Sequence, residues 1–151
     1  MQENMSNLMK AGVFPMLRRL HYVSPKGCAE MVAESISHAI DTVKEALPPA
    51  YMPENIGLMF LGCEGTKADK TTLEFISTLN PKRVSTAALF CCNAKQSDAA
   101  LQQVKAALQA QGIKVMDSTY VCSGKGLFGG KNPSEAELAG AAKWALKCME
   151  Q

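Results

Sequence analysis

The chain has 151 residues, 47% of them hydrophobic, enough for one domain with a sizeable core. Its formal charge of +2 is too weak to imply nucleic acid, and no run approaches the ~18 apolar residues that span a bilayer. Six cysteines, with no secretory signal pattern and no Cys-x-x-Cys, point to free thiols in a reducing cytoplasm rather than a disulfide framework.

Residues 1–15 read as a short N-terminal arm and residues 16–151 as the domain. The apolar arm makes a homodimer plausible. Residues 17–23 form the first expected strand. It breaks into Ser24-Pro25-Lys26-Gly27-Cys28-Ala29, and residues 28–46 follow as a helix, with Met31, Val32, Ser35, Ile36, Ala39, Ile40 and Val43 at helical spacing. Pro48 and Pro49 stop that helix. A strand, a tight loop and a helix start form a natural anion site, because backbone N–H groups and the helix dipole converge there.

An alternating α/β order wants a second strand near residues 50–55, where Pro53 allows only an edge strand or none. Residues 56–62 are a continuous apolar run, typical of a strand covered on both faces. Residues 70–79 read as a short helix ended by Asn80-Pro81. Residues 83–91 read as another buried strand, and residues 97–111 as a helix closed by Gly112. Residues 113–121 make the last expected strand, and residues 122–131 a Gly-rich loop. A final helix opens at Asn132-Pro133-Ser134-Glu135, with Asn132 as cap and Glu135 completing a capping box. Trp144 on that helix reads as core, His21 as packed and His38 as surface.

Strands separated by helices imply a parallel sheet with right-handed crossovers. Cys28, Cys63, Cys91, Cys92 and Cys122 all fall near the carboxyl ends of strands, the edge where ligands bind in such sheets. Cys is also a small residue that fits tight strand ends, and no spacing here matches a metal motif. Cys28, at a helix start beside Lys26, is a candidate low-pKa thiol. Cys91 and Cys92 are adjacent in a strand and point to opposite faces. Lys26, Lys67, Lys70, Lys95, Lys125 and Lys131 give the same rim a basic character, diluted by Glu64, Asp69 and Asp98.

Five segments in order resemble the flavodoxin family over roughly residues 17–149: Ser24 to Ala29, Ile56 to Gly62, Asn80-Pro81-Lys82, Cys122-Ser123-Gly124-Lys125 and Asn132-Pro133-Ser134-Glu135. The resemblance implies a flavodoxin-like doubly wound α/β domain, a three-layer sandwich with sheet order 2-1-3-4-5 and a short or irregular second strand. It implies FMN at the strand carboxyl ends and electron transfer to a redox partner protein or a small-molecule acceptor. By position, it places the FMN phosphate on Ser24, Pro25, Lys26, Gly27, Cys28 and Ala29. It places the flavin ring against Gly62, Cys63, Glu64 and Gly65 on one loop and Cys92, Asn93 and Ala94 on the other.

The chain departs from the family pattern inside these loops. Lys26 stands where a hydroxyl residue is expected, Cys28 replaces Asn, and Ala29 replaces Thr. Neither ring loop carries an aromatic residue, and Glu64 is unfavourable beside an anionic reduced flavin. Three readings follow. The chain is an FMN-binding electron-transfer protein or oxidoreductase component; or a flavin-less relative used as a binding module; or, more weakly supported, a protein with a cysteine-based redox or metal site at the strand edge.

Overall fold

In the computed structural model, residues 17–123 and 133–150 are described. Among these residues six strands and four helices follow in chain order: β1 (Leu17–Tyr22), α1 (Cys28–Ile40), β2 (Lys44–Ala46), β3 (Ile56–Glu64), α2 (Lys70–Ser77), β4 (Val84–Cys92), α3 (Ala99–Ala110), β5 (Lys114–Val115), β6 (Tyr120–Cys122) and α4 (Glu135–Met149). Every strand pairing is parallel, in the order β2-β1-β3-β4-β5, with β6 also paired to β4. The fifth sheet position is thus shared by β5 and β6, and the order matches the expected 2-1-3-4-5.

The central strands β3 and β4 are buried almost throughout because helices cover both faces. On one face, Leu20, Phe60, Phe90 and Cys92 pack against α1 and α4. Trp144 of α4 is buried there in contact with Phe60, Phe90 and Tyr120, and its indole N–H donates to Ser118 Oγ at 3.2 Å. On the other face, Met59, Leu61, Leu89 and Cys91 pack against α2 and α3. Cys91 and Cys92 therefore do face opposite sides. His21 is fully buried against Phe75, and His38 is exposed.

Four local expectations need correction. The first helix ends at Ile40, not at residue 46: Asp41 turns left-handed (φ 53°), and Lys44–Ala46 pairs with β1 as the edge strand. The helical spacing of Val43 is accidental, for Val43 is 84% exposed. The second strand accordingly lies before Pro48, not at residues 50–55. The last strand is broken between Val115 and Tyr120. The final helix is capped by Ser134, whose hydroxyl accepts from the Glu137 N–H at 3.1 Å while Glu137 reaches back to the Ser134 N–H. That box replaces the expected Asn132–Glu135 pair, and Asn132 itself lies outside the described residues.

Candidate functional site

The order β1-β3-β4-β6 brings three strand ends side by side, so the loops after Tyr22, Glu64 and Cys92 meet at one edge. The first loop has the backbone of an anion cradle. Gly27 adopts φ +90°, a conformation that suits glycine, and the chain turns from there into α1. The helix start has no side-chain cap from Gly27, so its N–H groups need other acceptors.

Those acceptors come from within the chain. Glu64, the last residue of β3, reaches across to the first loop. Its carboxylate accepts from the Ser24 hydroxyl at 2.5 Å, the Lys26 N–H at 2.8 Å, the Ala29 N–H at 2.9 Å and the Cys28 thiol at 3.2 Å. Ser24 Oγ in turn accepts from the Glu30 N–H at 2.9 Å. Four donors from the loop expected to hold a phosphate are therefore gathered on the chain's own carboxylate, while the Gly27 N–H donates to Ser24 O at 3.3 Å. Burial pushes the Glu64 carboxyl pKa up, but the four bonds to Ser24, Ala29, Lys26 and Cys28 outweigh it and hold the group below the ordinary range. Lys26 contributes its backbone N–H, while its residue is exposed on the rim.

The loop after β4 is closed by a different device. Asn93 is buried; its amide N–H donates to Ser97 O at 2.7 Å and Gly65 O at 3.3 Å, and its Oδ1 accepts from the Ser97 N–H at 2.9 Å. No amide capacity of Asn93 is left pointing outward except a lone pair. Gly62 is buried, and a Cβ there would collide with the Phe90 ring, so this glycine serves strand packing. Cys63 faces the α2–α3 side, and its thiol is hydrogen-bonded to that of Cys91.

Between these loops lies a cavity of about 190 Å³ lined by Pro25, Lys26, Cys28, Glu64, Gly65, Cys92, Asn93 and Ala94. All eight stand among the thirteen positions singled out from the sequence. Ser24, Gly27, Ala29, Gly62 and Cys63 do not line it: the first three build the cradle, and the last two are packed inside. The cavity is smaller than the roughly 300–1,000 Å³ of ordinary small-molecule sites. A larger cavity of about 280 Å³ lies at the opposite edge, where the chain leaves β5, lined in part by Leu58, Thr86, Met116 and Cys148. It sits away from the strand carboxyl ends, and its lining also includes Lys114 and Asp117. Among the described residues, no group of three or more His, Cys, Asp or Glu is placed to hold a metal ion.

Sequence reading placed Glu64 with the flavin ring and missed its part in the cradle. The usable signal was the loss of hydroxyls at positions 26 and 29 together with an acidic residue ending the neighbouring strand. The sequence places Cys122 at the strand edge; its pairing with Cys92, at an Sγ–Sγ distance of 2.9 Å, depends on β4 and β6 being neighbours.

No family model matches the chain, and no curated protein matches its sequence. Solved structures do. A flavodoxin from the domain Archaea superposes with a TM-score of 0.71 at 15% identity, covering 89% of this chain and 97% of that one. The fold is flavodoxin-like. Oxidised flavodoxin 2 from Bacillus cereus is also similar, with a TM-score of 0.64 at 14% identity over 89% of this chain and 98% of its own. At such identities the likeness concerns the fold alone, and the flavodoxin-like cradle of this chain must be judged on its own residues. Among the described residues, no helix is long and apolar enough to cross a membrane.

The residues present do not fit a flavin phosphate while Glu64 stays in place. Ser24, Lys26 N–H and Ala29 N–H are engaged, and Pro25 has no N–H to offer. A phosphate about 4 Å from the carboxylate would meet a repulsion of about 4 kcal/mol per charge pair at an effective dielectric of 20. One charged hydrogen bond returns only about 1.5–3 kcal/mol.

Proposed function

We propose that this chain is a flavodoxin-like domain that works without a phosphate-anchored flavin, as a binding module whose partner meets the strand-carboxyl edge. The observation that carries this reading is the Glu64 carboxylate seated on the donors of the first loop. The small cavity and the lack of an aromatic residue in either ring loop support it. The Glu64 carboxylate is turned inward onto donors of the chain, whereas Lys26, Lys67 and Lys95 are exposed on the surrounding loops. That rim fits an acidic protein surface, and the attraction is salt-sensitive. Six buried cysteines, none in a disulfide, suit a reducing compartment such as the cytoplasm.

A second reading, an FMN-binding electron-transfer protein serving a redox partner or a small-molecule acceptor, draws on the likeness to two flavodoxins and on the preformed turn at Gly27. It requires Glu64 to leave the cradle and the cavity to widen. The two readings separate in one experiment. Protein purified without added flavin, then titrated with FMN by calorimetry, is expected to show no flavin absorbance and no binding heat. Tight, stoichiometric FMN would establish the second reading and end the first.

A further inference from the structure

Parallel pairing of β4 with β6 sets Cys92 directly opposite Cys122, and their sulfurs lie 2.9 Å apart. Neighbouring strands run roughly 4.8 Å apart, inside the window of about 4.4–6.8 Å that Cα atoms of a disulfide require. A bond of about 2.05 Å asks each sulfur to move by less than 1 Å. A second pair, Cys63 and Cys91, is likewise opposite on β3 and β4, on the other face of the sheet. The two pairs differ in access. Cys92 lines the edge cavity together with Cys28, whereas neither Cys63 nor Cys91 lines it.

We propose that Cys92 and Cys122 form a dithiol oxidised to a cross-strand disulfide by small hydroperoxides entering through the edge cavity. The Cys92 thiol gives up its proton and the thiolate attacks one peroxide oxygen; the S–O bond forms, the O–O bond breaks, and the departing hydroxide or alkoxide takes up that proton and leaves as water or an alcohol. The Cys122 thiol then attacks the Cys92 sulfenic sulfur, the S–S bond forms, and the second oxygen leaves as water. The two sulfurs lose two electrons in all, and the peroxide gains them.

Two features shape the behaviour. Hydrogen bonding of the Cys92 S–H to the Cys122 and Cys28 sulfurs, together with burial, raises the Cys92 pKa, so thiolate is scarce. Oxidation is therefore slower than that of free cysteine and speeds up as pH rises, which makes the pair a latch rather than a peroxidase. Cys28 donates its thiol to Glu64 at 3.2 Å and belongs to α1, not to a strand beside β4, so the register partner Cys122 is the resolving thiol. Closure pins the three-residue β6 to β4 across a sequence separation of 30. A loop of that size raises thermal stability by several degrees.

The test treats the reduced full chain with hydrogen peroxide, then maps it by non-reducing peptide mass spectrometry. The expected result is a Cys92–Cys122 linkage, loss of two of the six free thiols, a higher Tm, and full reversal by dithiothreitol. Cys28→Ala keeps the linkage, and Cys122→Ala abolishes it. The wild-type map needs no variant to fold. No thiol loss, a linkage between other cysteines, or stable sulfinic acid at Cys92 would overturn the proposal.

Discussion

Two loops at the strand-carboxyl edge are each closed by one side chain, from very different distances. In the loop after β4, Asn93 bonds to residues four positions away and to Gly65 beside it. In the loop after β1, the closing carboxylate comes from Glu64, 35–40 residues along the chain. Asn93 is buried and uncharged, while Glu64 is half-buried and titratable. The local clamp holds its loop's shape under most conditions. The long-range clamp ties two strands together and opens when its charge is removed, which is why the first loop is the one that decides whether an anion can bind.

The sharpest break in that comparison is expected at Asn93. Asn93→Ala removes three internal bonds that water cannot replace at a buried site, and costs about 3 kcal/mol; urea unfolding measures it. Glu64→Ala loses charged bonds, but the freed donors of Ser24 and exposed Lys26 reach solvent, so its cost is smaller, about 2 kcal/mol. A Glu64→Ala cost clearly above that of Asn93→Ala would reverse the ranking.

Acid separates the loops further. Because the folded pKa of Glu64 is lowered, its contribution to stability is complete above the ordinary value of 4.5. It is lost as pH falls below that value and through the folded pKa. Asn93 does not titrate. Buried His21, whose pKa is lowered by desolvation and by Arg19, loses stability in a separate window as pH falls below 6.5. Comparing unfolding of wild type and Glu64→Gln from pH 6 to pH 3 isolates the carboxylate: the difference shrinks as pH falls. A pH-independent difference would show that Glu64 is not held as an anion. The smallest effect is expected at Gly27, where Gly27→Ala adds a Cβ at φ +90° with open space around it and costs about 1 kcal/mol of backbone strain.

Much of this architecture was legible in the chain. The β1–loop–α1 unit and the buried runs of β3 and β4 show in apolar patterning, and five ordered segments resemble flavodoxins. Local ambiguity hid other parts. Lys44–Ala46 is a three-residue edge strand whose identity depends on pairing with β1, not on its own pattern. Ser134 and Asn132 are both good caps two residues apart, and the reach of Glu137 to Ser123 and Ser134 decides between them at the described helix start. Sequence spacing located the positions around the edge cavity, since strand ends in a parallel sheet converge there. It did not reveal that Glu64 fills the cradle, because that contact depends on β1 and β3 being neighbours and on a side-chain rotamer.

The most direct measurement follows the Glu64 carboxyl carbon by NMR through an acid titration, with and without saturating FMN. A midpoint below 4.5 that FMN leaves unmoved is the predicted result. An ordinary glutamate midpoint, or a carboxyl signal displaced by FMN, would contradict the self-filled cradle.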